Sequence, residues 1–279
     1  MLQRIVMPTD GSIESEKPLS VATQLARAQD AELTLLRVVE ELHYHDAEGS
    51  AAVSAEIYEE VIRGQQQDAI RSLDRIEQRL LGEGVRVTSE VRRGNAVSEL
   101  FDYLASNKPD LVVMATHGRT GLARFAMGSV TDRMVREGSA PVLVTRMGTE
   151  PSSRLDRALV MLDGSGVAEE VLPLVTALAG KPLQHLTLYR VVADPGDRSA
   201  AATYLEGAAT HLAATGITVE TKIDLGDPRA NIERAAEDVD LVILCTHGRS
   251  GLDRLRHGSI AEHVMHTVDA PALLVRAKG

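Results

Sequence analysis

The stretch Leu111-Val-Val-Met-Ala-Thr-His-Gly118, followed after nine residues by Gly128-Ser129, is the most informative part of the sequence because it occurs twice in the chain. The second copy is Leu241-Val-Ile-Leu-Cys-Thr-His-Gly248, again followed after nine residues by Gly258-Ser259. In each copy an apolar run precedes the glycine and an amphipathic stretch follows, which predicts a strand, a loop and a helix start. The N–H groups and helix dipole at such a loop favour an anion, so the pattern predicts two phosphate sites and hence two nucleotide sites.

The repeat extends beyond these loops to both ends of each copy. Near the starts, Asp10-Gly-Ser12 and Asp163-Gly-Ser165 each follow an apolar run, and the copies finish with Ala140-Pro-Val-Leu-Val-Thr-Arg146 and Ala270-Pro-Ala-Leu-Leu-Val-Arg276. A repeat of this length indicates a duplicated domain, because solenoid units reach only about 50 residues. We therefore predict domains over 1–147 and 155–279, joined by a linker rich in turn-forming residues.

Within the first copy, short apolar runs alternate with amphipathic stretches. The predicted strands are 3–8, 32–39, 85–92, 111–116 and 142–146, and the predicted helices are 13–29, roughly 52–82, 96–106 and 129–137. This alternation predicts right-handed β-α-β crossovers and a parallel sheet covered on both faces. The expected fold class is thus α/β, with two tandem, doubly wound, parallel five-stranded sheets.

Composition excludes several classes of partner. The 279-residue chain carries a net charge of −10, which disfavours nucleic acid or an anionic membrane as the main partner. It has no Trp, two Phe and five Tyr, too few aromatic residues for a base-stacking platform. A single cysteine forms no internal disulfide, and no apolar run is long enough to span a membrane, so we expect a cytoplasmic protein.

Ligands of open α/β sheets bind at the carboxyl ends of the strands, which directs attention to Asp10, Asp163, His117 and His247. The two aspartates could cap helices or accept hydrogen bonds from a ligand, and position alone does not separate these roles. The histidines favour a structural or phosphate-side role over general-base chemistry, because no nucleophile recurs beside them. The chain has no P-loop lysine motif and no recurring carboxylate pair for a catalytic metal. This pattern favours a binder, and we assign no catalytic residue and no resident metal site.

These motifs resemble the universal stress protein family in its tandem, two-domain form, and the resemblance covers essentially the whole sequence. Its carriers are Pro8-Thr-Asp10-Gly-Ser12, the glycine loops and the closing Pro141-Val-Leu-Val144. The ATP-binding subclass has the pattern G-2x-G-9x-G-[ST], in which Ala115 and Cys245 replace the first glycine here. The resemblance implies a Rossmann-like sheet of the adenine nucleotide alpha hydrolase-like type.

The resemblance also implies a site in each half that binds ATP or another adenine nucleotide, with Mg²⁺ bridging the phosphates. In the first half, Asp10 and the backbone of Val38 would contact adenine, and Met114 and Ala115 would lie along the ribose. The phosphates would contact Gly118, Gly128, Ser129 and Val130. The matching positions of the second half are Asp163, Val191, Leu244, Cys245, Gly248, Gly258, Ser259 and Ile260. The candidate set is completed by Pro8 and Thr9, and by Arg119 and Arg249, which could contact phosphates or face solvent.

The expected function is that of an ATP-binding regulatory protein of the stress response, with an unidentified protein partner. Slow ATP hydrolysis assisted by His117 or Asp10 is one alternative, and a nucleotide-free interaction module is another. Family dimers form through the last strand, which implies pairing between the two halves and again between two chains. The insertion at about 40–65 could cover the first site as a lid or extend a helix with a solvated face, and we favour the helix.

Overall fold

The structure, a computed structural model, describes residues 1–40, 55–116, 127–146, 148, 154–246 and 259–277. Within these ranges the strands are β1 (Arg4–Pro8), β2 (Glu32–Val39), β3 (Val87–Arg93), β4 (Leu111–Ala115), β5 (Val142–Thr145), β6 (Arg157–Met161), β7 (His185–Val192), β8 (Thr218–Leu225), β9 (Leu241–Thr246) and β10 (Ala272–Arg276). The α-helices are α1 (Ile13–Glu16), α2 (Leu19–Gln29), α3 (Ala55–Gly82), α4 (Ala96–Asn107), α5 (Ser129–Glu137), α6 (Leu172–Leu178), α7 (Arg198–Ala213), α8 (Pro228–Ala235) and α9 (Ser259–Thr267). Strands alternate with helices in both halves, which confirms the predicted α/β class.

The strands form one sheet in the order β3-β2-β1-β4-β5-β10-β9-β6-β7-β8. The first half (β1 to β5) and the second half (β6 to β10) therefore have the same order, and all pairs inside each half are parallel. In each half the chain adds strands first on one side of the first strand and then on the other. The strand order therefore reverses between β1 and β4, and between β6 and β9. This is the position at which doubly wound sheets bind ligands.

The two halves join through their last strands. β5 and β10 pair antiparallel, with Leu143 opposite Leu273, and both side chains are fully buried. The pairing satisfies backbone groups that would otherwise lie unpaired along two sheet edges. The expected two five-stranded sheets are therefore continuous as a single ten-stranded sheet, and the pairing of the halves that the resemblance implied is present.

Pro18 divides the helix predicted at 13–29 into α1 and α2. Proline has no backbone N–H, so it cannot donate to the carbonyl of Glu14 four residues earlier. The chain instead turns after α1, where the N–H of Lys17 donates to Glu14 O at 3.4 Å. The single-helix prediction was wrong at this point because one proline outweighs an otherwise continuous apolar face.

The other elements agree with the predictions to within a few residues. β3 begins at Val87, later than the predicted 85, because a turn after α3 includes Gly84 with φ +77°. Residues 55–65 of the insertion are helical and form the start of α3, as we favoured. The segment 41–54, which bears on the lid alternative, lies outside the described residues, as does most of the predicted linker.

Candidate functional site

The turn after β1 is held by its own side chains. Thr9 Oγ1 lies 2.8 Å from Ser15 Oγ and accepts the N–H of Gly11 at 3.0 Å. Asp10 Oδ1 accepts the N–H of Ser12 at 2.9 Å, and Ser12 Oγ caps α1 by accepting the N–H of Ser15 at 3.2 Å. Asp10 is half-buried. These bonds give the Asp10 carboxylate a defined position at the carboxyl end of β1.

An arginine from the neighbouring strand covers this turn. Gly11 has φ +76°, and a Cβ added there would stand 2.6 Å from Arg37 Nη1. The second half repeats the arrangement: Gly164 has φ +93°, and a Cβ there would stand 2.6 Å from Arg190 Nη1. Sequence reasoning missed this pair of arginines. The signal was present, since Arg-Val-Val occurs at the same place in both copies.

The end of β4 is tied to the start of α5. The N–H of Gly128 donates to Thr116 O at 2.8 Å, and Thr131 Oγ1 donates to Ala115 O at 2.9 Å in a buried contact. Gly128 is the N-cap of α5 and provides no side-chain cap, and Ser129 follows it with an exposed side chain. The first turn of α5 therefore presents N–H groups without a side-chain cap at the end of β4, an arrangement that suits an anion.

Several predicted residues of the first half meet at one edge of the sheet. Pro8 ends β1, Val38 lies near the end of β2, and Met114 and Ala115 end β4; these three strands are neighbours. Thr9 and Asp10 follow directly, and Val130 lies half-buried in the first turn of α5. The remaining predicted positions of this half, Gly118 and Arg119, lie outside the described residues with His117.

The second half has the same arrangement of strands with different side chains. Buried Leu162 and Ala168 replace the hydrogen-bonded Thr9 and Ser15. Asp163 is exposed and accepts both the N–H and the hydroxyl of Ser165, at 2.8 and 2.6 Å. The other predicted positions are Val191 near the end of β7, Leu244 and Cys245 in β9, and Ser259 and Ile260 in the first turn of α9. His247, Gly248, Arg249 and Gly258 fall outside the described part of the chain.

Carboxylates lie near Cys245 and Tyr204 in the second half. Burial, together with smaller contributions from the carboxylates of Glu170 and Asp163, raises the pKa of the Cys245 thiol to about 11. Burial also raises the pKa of Tyr204 to about 12, with a contribution from Glu169. The Arg190 guanidinium lies 5.5 Å from the centroid of the Tyr204 ring, a cation–π contact.

Comparison with known proteins identifies the family. A model of the universal stress protein family matches residues 1–146 and 154–276. The chain belongs to the universal stress protein family. A universal stress protein of Mycolicibacterium smegmatis is 26% identical over 294 residues, covering 98% of this chain and 97% of the relative. One from Methanocaldococcus jannaschii is 32% identical over 148 residues, covering 52% of this chain and 83% of the relative.

A solved structure supports the tandem fold. The crystal structure of a universal stress protein from Archaeoglobus fulgidus has a TM-score of 0.75 to this chain at 21% identity, and the likeness covers 98% of this chain and 97% of that one. At this identity the likeness shows the fold alone. This universal stress protein therefore shares its two-half architecture with a solved relative.

Two cavities of this universal stress protein lie away from the predicted nucleotide positions. One of about 290 Å³ is bordered by Arg4, Glu32 and Tyr103, and one of about 620 Å³ lies where α8 and α9 end, beside Asp240 and Asp269. Within the described ranges, no group of three or more His, Cys, Asp or Glu side chains is placed to hold a metal ion. No described helix is both long and apolar enough to cross a membrane.

Proposed function

We propose that this protein binds ATP or another adenine nucleotide in each half and that occupancy regulates a stress response through a protein partner. One observation carries the proposal: the Asp10 turn and the start of α5 lie at the ends of adjacent strands, at the reversal point of the sheet. A carboxylate acceptor suits an adenine amino group or a ribose hydroxyl, and N–H groups of a helix start suit phosphate.

The roles in the first half follow from these positions. Asp10 and the backbone of Val38 contact the adenine end, and Met114 and Ala115 supply apolar contacts along the ribose. Gly128, Ser129 and Val130 take the phosphates together with Gly118 and Arg119. Magnesium arrives on the ATP phosphates as part of the ligand, so the site needs no protein ligand set for it.

The second half binds through the equivalent positions around Asp163, Cys245 and Ser259, so that domains 1–147 and 155–279 each form a binding unit. A homodimer would use a surface other than the last strands, because β5 and β10 already pair with each other. That pairing gives one continuous sheet through which ligand binding in either half can affect the other.

Mass spectrometry of small molecules released from freshly purified, denatured protein tests the proposal. Near-stoichiometric adenine nucleotide is expected, or calorimetric binding of added Mg-ATP by protein purified empty. Asp10→Ala should remove the first-half site, and Asp102→Ala is the matched control, because Asp102 is an exposed aspartate on α4. A wild-type protein that carries no nucleotide and binds no Mg-ATP would contradict the proposal and favour the interaction-module alternative.

A further inference from the structure

The two halves place opposite charges at one equivalent position beside the candidate sites. Counting from the aspartate of each turn, Asp10-Gly-Ser-Ile-Glu-Ser-Glu-Lys17 corresponds to Asp163-Gly-Ser-Gly-Val-Ala-Glu-Glu170. The eighth residue is a lysine in the first half and a glutamate in the second. Glu16 and Glu169 are the same in both halves, whereas Glu14 corresponds to the uncharged Val167. The turn of the second half therefore carries one more negative charge than that of the first.

In the first half, this position follows α1, which packs against β4. The Lys17 side chain is largely buried, and its Nζ lies 3.1 Å from Glu14 Oε1. Lys17 is therefore held close to the turn after β1 by its ion pair with Glu14. Because the two charges of this pair offset each other, a phosphate-bearing ligand meets no net negative charge from it.

In the second half, the equivalent turn at 168–171 packs against β9 and β10. Buried Ala168 and Val171 flank the two glutamates of this turn and anchor it on the core. Glu170 is half-buried, and its charge acts on Cys245, the position expected to lie along the ribose. Asp163 also acts on Cys245, but it is matched by Asp10 in the first half, so Glu170 is the charge that differs.

The phosphate end also differs between the halves. In the first half, Thr131 ties the first turn of α5 to the carbonyl of Ala115, at 2.9 Å. The equivalent residue of α9 is Ala261, which is buried and has no hydroxyl to make this bond. The bond that Thr131 makes to the preceding strand therefore has no counterpart at Ala261.

We infer that the two sites select ligands by charge: the first half takes the triphosphate, and the second half disfavours it and prefers an adenine ligand with few or no phosphates. The inference rests on the proposed function, since it presupposes that both halves bind adenine nucleotides. The physical cause is repulsion between the polyphosphate and the carboxylate of Glu170, where the first half has the ion pair of Lys17 with Glu14.

Calorimetric titration of single-site proteins with Mg-ATP and with adenosine tests the inference. Asp163→Ala leaves the first-half site to be measured, and Asp10→Ala leaves the second-half site. We expect Mg-ATP to bind the first site at least about tenfold more tightly than the second. The adenosine affinities of the two sites should differ by less than about threefold, because adenosine carries no charge.

Substitutions that reverse the charge at Glu170 and at Lys17 test whether these charges cause the difference in Mg-ATP affinity. In the Asp10→Ala protein, Glu170→Lys should strengthen Mg-ATP binding about tenfold, with Glu170→Gln intermediate and adenosine binding unchanged. In the Asp163→Ala protein, Lys17→Glu should weaken Mg-ATP binding to a similar extent. Glu206→Lys on α7 is the control, because it makes the same change in net charge at an exposed position on another helix. Thermal unfolding confirms that each variant is folded.

Equal Mg-ATP affinities at the two sites, or a Glu170→Lys protein whose Mg-ATP affinity does not change, would overturn the inference and leave the proposed function intact. Failure of the wild-type protein to bind any adenine ligand would instead overturn the proposed function, and the charge selection with it.

Discussion

The guanidinium of Arg37 lies against the backbone of Gly11, at the point where the chain leaves β1. A Cβ on Gly11 would stand 2.6 Å from Arg37 Nη1, and the glycine has a left-handed φ of +76°. The same relationship between Arg190 and Gly164 in the second half shows that it belongs to the duplicated unit. The turn that presents each candidate aspartate is therefore constrained by its own backbone and by an arginine from the next strand.

Gly11→Ala is expected to lower the free energy of unfolding by about 1–2 kcal/mol, the cost of a left-handed conformation for a residue with a Cβ. Gly84→Ala is the matched control, because Gly84 has φ +77° and nothing within 4 Å of an added Cβ. Both variants should lose similar stability in urea denaturation, since the flexible end of Arg37 can move aside. Only Gly11→Ala should weaken Mg-ATP binding. An unchanged affinity in that variant would show that this turn does not contribute to ligand binding.

Thr131→Val should destabilise the protein by about 1–2 kcal/mol and weaken Mg-ATP binding in the first half, because it leaves the buried carbonyl of Ala115 without the hydroxyl that donates to it. Thr203→Val on α7 is the control: its hydroxyl also donates to a backbone carbonyl, that of Ser199, but in an exposed position. Denaturation and calorimetry on both variants make the comparison. Equal effects at Thr131 and Thr203 would show that the hydrogen bond from Thr131 to Ala115 contributes no more to stability or to Mg-ATP binding than an exposed one.

Gln29 connects the two halves at the end of α2. Its side chain is buried, accepts the N–H of Leu2 at 3.1 Å, and donates to the carbonyls of Ala177, at 3.0 Å, and Lys181 in the second half. Gln29→Ala should therefore cost about 2–3 kcal/mol, because the buried N–H of Leu2 and two partly buried carbonyls lose their partner.

The control for this prediction is Gln184→Ala, since Gln184 bonds to Gly180 within one half and is exposed. We expect Gln29→Ala to separate the unfolding of the two halves into two transitions, followed by circular dichroism, and Gln184→Ala to preserve one. A single, unshifted transition for Gln29→Ala would argue against a bridging role.

Cys245 should react slowly with iodoacetamide near neutral pH and faster as the pH rises towards its pKa of about 11, because only the thiolate is the nucleophile. Since the folded-state pKa is raised above the ordinary value of 9.0, the folded protein binds more protons above pH 9 than the unfolded chain. This group's contribution to stability is therefore present below about pH 9 and is lost as the pH rises to about 11.

Glu170→Gln should lower the pKa of Cys245 only partly, because burial is the largest cause of the shift and Asp163 remains. The rate of alkylation as a function of pH measures the pKa of Cys245 in the wild-type protein and in the Glu170→Gln variant. A thiol that reacts at neutral pH as fast as a free cysteine would contradict the buried, acidic surroundings described for it.

The fold class could be predicted from local pattern because alternating apolar strands and amphipathic helices depend on neighbours along the chain. The break at Pro18 shows the limit of periodicity, since the apolar face continues through it while the hydrogen-bond ladder does not. The Asp10 and Asp163 turns were located from the sequence. Their partners Arg37 and Arg190 were not, because the contact joins residues from separate strands.

Local pattern was enough to predict the duplication, the alternating strands and helices and the Asp-Gly-Ser turns, because each depends on residues close together in the chain. The resemblance implied that the last strands pair, but two further features came only from the tertiary structure. These are the antiparallel register of β5 against β10 in one sheet, and the bond from Gln29 to the carbonyl of Ala177 148 positions away. The physical reason is that these contacts form between surfaces already built by local folding. Their partners are selected by edge hydrogen bonding and burial, which neighbours in the chain do not encode.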